Sequence, residues 1–98
     1  MLNLFSMMGN YEERVVARFD SDEFSIDTAY VTDREHPYET AIAHKKFHAG
    51  DWIILGWRDT KEEAQKYHDE MIQFFKDNPD IDYIVDVYDN VVYERKGE

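Results

Sequence analysis

The sequence predicts an α+β fold, an antiparallel β-sheet in the order ββββαββ with one α-helix packed on a face. Three observations carry this. Between Glu12 and Trp57 lie four stretches rich in β-branched and aromatic residues, separated by polar turns or loops. After Thr60 the apolar residues recur at helical spacing. Beyond the helix stop, two short apolar runs flank Asp89-Asn90, a dipeptide suited to a tight turn. Hairpin-sized connections and a single helix favour an antiparallel sheet over a parallel one.

The first strand, EERVVARFD (12–20), alternates Val15, Ala17 and Phe19 against Arg14, Val16 and Arg18, as a half-buried strand does. Asp20-Ser21-Asp22-Glu23 is a polar turn. FSIDTAYVT (24–32) then sets Phe24, Ile26, Thr28 and Tyr30 on one face. DREHPY (33–38) is a loop, because Pro37 disfavours helix at His36. YETAIAHKKF (38–47) is the third strand and DWIILGW (51–57) the fourth, with Ala49-Gly50-Asp51 turning between them. The fourth is apolar on both sides, with Trp52 and Ile54 on one face and Ile53, Leu55 and Trp57 on the other. That pattern predicts a central strand covered on both faces, or a subunit interface.

Thr60 and Glu63 have capping-box spacing and open the helix. Ala64, Tyr67, His68, Met71, Ile72 and Phe75 form its apolar stripe, while Glu62, Lys66, Glu70 and Gln73 lie opposite. Asp77-Asn78-Pro79 ends it. IDYIVDVYDNVVYER is the last hairpin, with a two-residue turn expected at Asp89-Asn90.

Ninety-eight residues suit one domain, here residues 11–98, preceded by a weakly ordered N-terminal extension over 1–10. Met7 or Met8 offers an alternative start that would make residues 1–6 an addition. The apolar MLNLFSMMGN has neither a basic lead nor a cleavage-like small-residue site, so it is not expected to direct secretion. No run reaches the roughly eighteen apolar residues of a membrane span. Hydrophobic content of 43% and aromatic content of 15% place the chain among globular domains. Without cysteine, disulfides, thiol catalysis and cysteine-ligated metals are excluded.

The net charge of −11 argues against direct binding to nucleic acid or anionic membranes and allows a basic partner surface. Residues 41–58 alone are net positive, through Lys45, Lys46 and Arg58 against Asp51. From Asp77 to Glu94 there are six acids and no Lys or Arg.

His44, His48, Asp51 and His68 could make a zinc site, since imidazole and carboxylate suit zinc. His44 and His48 on an extended strand, however, stand about 13 Å apart, so no metal or other cofactor is expected. His44 and His68 meeting across the sheet–helix interface, with Glu39 or Asp59, would form an acid–base cluster. The sequence offers no nucleophile motif, phosphate loop or paired carboxylates beside it, and an enzyme is not expected. Trp52, Trp57, Phe74 and Phe75 are simplest as core residues. Phe74 stands at the margin of the helix stripe, where with Trp57 or Leu2, Leu4 and Phe5 it would make an apolar patch and a homodimer or higher oligomer.

PYETAIAH, GDWIILGW and RDTKEEAQKYHDEMIQFF together resemble a group of short, uncharacterised phage and prophage proteins. In that group an ETA…H strand, a GDW(I/V)(I/V) strand and a DTxEEAxxxH helix start recur in this order. The matching positions are Glu39, Thr40, Ala41, His44, Gly50, Trp52, Ile53, Ile54, Asp59, Thr60, Glu62, Glu63, Ala64 and His68. Lys45 stands where the group often has proline. The resemblance implies a phage origin, and hence a host cytoplasmic location, but no settled activity.

Three readings follow. The first is a phage accessory protein that binds and inhibits a host defence or takeover-target protein without catalysis. Its contact surface would be the acidic, tyrosine-bearing hairpin: Asp82, Tyr83, Asp86, Tyr88, Asp89, Tyr93 and Glu94. The second is an oligomeric sponge for an anionic nucleotide signal, held by His44, Lys45, Lys46, His48 and Arg58. The third is a minor virion or assembly component.

Overall fold

The computed structural model describes residues 14–31, 35–47 and 51–94. The expected extension over 1–10, the Ala49-Gly50 turn and His48 lie outside them. Strands β1 (Val15–Asp20), β2 (Phe24–Tyr30), β3 (Tyr38–His44) and β4 (Trp52–Arg58) form one antiparallel sheet in the order β1-β2-β3-β4. Helix α1 (Lys61–Asp77) follows. Strands β5 (Tyr83–Val85) and β6 (Val91–Tyr93) then form a separate two-stranded sheet. The order is ββββαββ, and the fold is α+β.

Local chemistry sets the turns and the helix start. Ser21 closes the first hairpin: its N–H donates to the Phe24 carbonyl at 2.9 Å, and its hydroxyl accepts from the Phe24 N–H at 3.2 Å. At the helix start, Thr60 Oγ1 accepts the Glu63 N–H at 3.2 Å. Glu62 and Glu63 sit in the first turn and Lys76 in the last, both favourable to the helix dipole. Ala64, His68 and Phe75 are the helix residues buried most deeply.

Two rows of side chains cross the sheet beneath this helix. In one, Phe19 pairs with Ile26, Ile26 with Ile42, and Ile42 with Ile53. Phe24, Phe47, Phe75 and Ile84 complete that core. The other row is small: Ala17 pairs with Thr28, Thr28 with Thr40, and Thr40 with Gly56. Large residues under half the helix and small ones under the rest let α1 lie close to the sheet while both halves stay packed.

Three features differ from the sequence pattern. First, β4 is the terminal strand of its sheet, not a central one. Its outer edge is met by the β5–β6 hairpin, where the Val87 N–H donates to the Ile54 carbonyl at 2.9 Å. Second, the register slips between Thr40 and Ala41, leaving Leu55 as an extra residue in β4. This bulge moves Trp57 to the face opposite Ile53, where its Nε1 donates to Glu39 at 2.8 Å. Third, β2 is buried on both faces. Ala29, Val31 and Ala41 pack with Trp52 on the side away from α1, and the fully buried Asp27 lies 3.7 Å from Arg18 Nε.

The last turn is wider than the two residues expected at Asp89-Asn90. Asp86 and Asn90 close it through an N–H to carbonyl bond of 2.9 Å, leaving Val87, Tyr88 and Asp89 as a three-residue loop. Asp89 alone takes a positive φ, 65°, among the described non-glycine residues.

A Cβ built on Gly56 would stand 3.0 Å from Tyr67 Oη and 3.2 Å from its ring. Tyr67 has little freedom to yield, because Arg58 lies 3.7 Å over its ring. Gly56→Ala is therefore expected to lower unfolding free energy by about 1–3 kcal/mol. Denaturant titration of both proteins tests this, and an unchanged midpoint refutes the close approach.

Candidate functional site

The β5–β6 hairpin divides its side chains by strand alternation. Ile84 and Val92 point inward, and Ile84 is buried in the main core. Tyr83 pairs with Tyr93 and Val85 with Val91 on the outward face. These four residues are 47%, 70%, 43% and 46% exposed, and Phe74 of α1, 42% exposed, adjoins them. Tyr88 projects from the loop and meets Trp57 edge-on at 5.5 Å. The outward face is thus a continuous run of aromatic and β-branched side chains. Sequence reasoning found its tyrosines but missed Val85 and Val91, whose placement was already implicit in the two-residue alternation. Phe74 joins this face, not Trp57.

The acids expected on the same surface separate into two kinds. Asp82 and Asp89 are exposed and without ion pairs among the described residues. Asp86 is occupied by its own loop: Oδ1 accepts from the Tyr88 N–H at 2.8 Å and the Asn90 N–H at 2.9 Å. Those donors hold its carboxyl below the usual carboxylate range. Glu94 faces Lys46 at 3.8 Å.

The basic residues are not gathered in one place. Lys45 Nζ donates to Glu23 at 2.8 Å. Lys46 Nζ donates to the carbonyls of Ile81 at 2.9 Å and Pro79 at 3.3 Å, tying the loop after β3 to the link between α1 and β5. Arg58 sits at the other end of the sheet, paired with Tyr38, while His44 pairs with Phe24. At strand spacing, the six steps from Tyr38 to His44 span about 20 Å. Arg58 donates to the Trp57 carbonyl at 2.7 Å and stacks on Tyr67.

Nor do the two histidines meet. His44 is buried, stacked on Phe24 at 5.9 Å and packed against Phe47 and Phe75. Its Nδ1 accepts the Lys46 N–H at 3.2 Å, which assigns the neutral ring's proton to Nε2. His68 is buried nearer the helix start, its Nδ1 2.9 Å from Thr28 Oγ1, which is 2.7 Å from Thr40 Oγ1. Glu39 is engaged by Trp57 on the opposite face, and Asp59 is hydrogen-bonded to His36. Among the described residues no group of three or more His, Asp or Glu side chains is placed to hold a metal ion.

Two recesses lie between the hairpin and α1. One, of about 480 Å³, is polar and lined by Arg58, Asp59, Glu63, Tyr67, Asp86 and Asp89 among others. Within it Asp59 pairs with His36, and Asp86 is taken up by its own loop amides. The other, of about 250 Å³, is an apolar groove between α1 and β5, formed by Leu55, Met71, Phe74, Phe75, Tyr83 and Val85 with their neighbours. No helix among the described residues is long and apolar enough to cross a membrane.

No protein-family model, curated protein or solved structure matches the chain.

Burial pushes the His44 and His68 imidazoles below their usual range; for His44 the Lys46 charge adds to the effect. Both stay neutral when folded and take up protons near pH 6.5 when unfolded. Their stabilisation is complete above about pH 6.5 and is lost as pH falls toward their folded values. His36 runs the other way, raised by its hydrogen bond to Asp59, but both partners are exposed and contribute little. Stability measured by denaturant should therefore fall between about pH 7.5 and 5.5, with His44 and His68 titrating by NMR below free histidine. A flat profile refutes this.

Asp86→Ala removes the acceptor for two loop amides. The Tyr88 and Asn90 N–H groups should exchange faster with deuterium while those of β2 and β3 keep their rates. Unchanged exchange at both would show that the loop does not depend on this carboxylate.

Proposed function

We propose that this chain is a small acidic accessory protein of phage origin that binds a host protein through the outward face of the β5–β6 hairpin and blocks it without catalysis. The observation that carries this reading is the contiguous exposed run Phe74, Tyr83, Val85, Val91 and Tyr93. Exposed apolar side chains are normal singly, whereas a connected set on one sheet face marks a contact surface. Tyrosine suits such a role, presenting a large apolar body at small entropic cost and a hydroxyl for hydrogen bonding.

Charge selects the kind of partner. The face lies within a segment holding six acids and no Lys or Arg, in a chain of net charge −11. A basic surface would be drawn to it, while two copies of this chain brought together through the same face would oppose like charges. Of the hairpin's own acids, Asp82 and Asp89 are available for this attraction; Asp86 and Glu94 serve the fold. The motif resemblance supports a phage source, and a bacterial host cytoplasm is then the place of action.

The test uses the full chain as bait in a bacterial lysate, beside Tyr83→Ser/Tyr93→Ser and Asp82→Asn/Asp89→Asn variants. The unaltered chain should retain a defined protein that the tyrosine variant loses and the charge-neutralised variant holds less tightly. Circular dichroism should be the same for all three. Equal retention by the tyrosine variant, or no defined partner, sinks the assignment.

A further inference from the structure

The hairpin's backbone suggests how a partner would be held. Asp86 and Asn90 are joined by one ladder bond, and the Glu94 N–H donates to the Asp82 carbonyl at 2.9 Å at the other end. In an antiparallel pair, bonded and non-bonded positions alternate. Ile84 and Val92 therefore form the bonded pair between these two. Tyr83 and Val85 turn their N–H and C=O groups away from β6. Among the described residues no strand pairs with that edge, since β5 and β6 are the whole of their sheet.

The direction of this edge follows from Val87. It shares the parity of Tyr83 and Val85, and its N–H donates to Ile54 of β4. The edge thus faces β4 and α1, and beyond Val87 it diverges from β4. The space opened by that divergence is the apolar groove of about 250 Å³, floored by Leu55, Met71, Phe75 and Ile84. Unpaired strand groups beside an apolar trough are the two components of strand addition, in which main-chain bonds supply affinity and a pocket takes alternate side chains.

The trough's own lining is apolar, and acids stand beyond its rim. Glu63, Glu70 and Asp77 recur every seven residues along the exposed flank of α1 beside Tyr67 and Phe74. Asp82, exposed, immediately precedes β5 on the other side. Of the basic side chains nearby, Arg58 is stacked on Tyr67 at one end.

We infer that the groove between α1 and β5 receives an extended segment of a partner protein. The segment adds as a strand to Tyr83 and Val85, places an apolar residue over Met71 and Phe75, and directs Lys or Arg side chains at Glu70, Asp77 and Asp82. This rests on the protein-binding reading above and specifies its chemistry. The outward tyrosines would then flank the seated segment and enlarge the contact.

A display library of random nine-residue peptides, selected against the full chain, tests it. Enriched peptides should alternate apolar residues with Lys or Arg. Their affinity should weaken about tenfold or more between low and high salt, as screened charge pairs do. On binding, the Tyr83 and Val85 amides should slow in deuterium exchange by about tenfold or more, as groups entering a ladder do. Phe74→Asp, with an unchanged circular dichroism spectrum, should reduce binding while Tyr30→Asp, on β2 away from the groove, leaves it unchanged. Enrichment of peptides lacking basic residues, no enrichment, or binding that leaves both amides unprotected overturns the inference. Host-protein retention that depends on Tyr83 and Tyr93 without protection of these amides would keep the binding face and reject strand addition alone. Protected, basic peptides with no host protein retained would reject the host-target reading instead.

Discussion

The hydrogen-bonded chain Thr40–Thr28–His68 sets the position of the helix on the sheet. Thr28 Oγ1 can donate to one neighbour while accepting from the other, so both bonds form at once with His68 neutral. Such a chain is satisfied at one register only. Shifting the helix by a turn would leave the buried His68 imidazole without this partner and Thr28 bonded to Thr40 alone, at about 1–3 kcal/mol for the lost bond. Apolar contact between α1 and Ile26, Ile42 and Ile53 drives docking, but apolar contact is non-directional. The polar chain supplies the direction, and the small row Ala17, Thr28, Thr40, Gly56 supplies the room.

The candidate face depends on that placement. With α1 fixed, Phe75 and Met71 line the trough under the hairpin and Phe74 is left at its rim. Lys46 then spans from the end of β3 to the Pro79 and Ile81 carbonyls, holding the link into β5. A residue that drew notice as part of a positive island acts instead as a structural tie. Its ammonium is committed to main-chain oxygens and to Glu94.

How much of this was legible follows from the range of the interactions involved. Period-two and period-3.6 patterns, the Thr60 cap and the Pro79 stop are local, and they yielded the element order and the buried helix face. The sheet edge was misjudged because DWIILGW reads as a doubly covered strand, whereas its second side is met by a hairpin thirty residues later. Leu55 as a bulge was not legible at all, since the slip depends on β3 and moves Trp57 between faces. At the candidate site the sequence marked the tyrosines and acids. It did not separate Asp82 and Asp89 from Asp86 and Glu94, because that division is made by loop amides and by a lysine distant in the chain.

The single backbone bond from Val87 to Ile54 has a consequence for the order in which the chain acquires protection. The four-stranded meander and α1 are built from sequential neighbours, so their pairings can form in the interval before the hairpin docks. Through that interval β4 presents an open edge flanked by Ile53, Leu55 and Trp52, the sort of edge that recruits foreign strands. The hairpin closes it late and through little backbone. The β5–β6 hairpin thus works as a stopper against misassembly, and a chain in which it stays undocked would be adhesive.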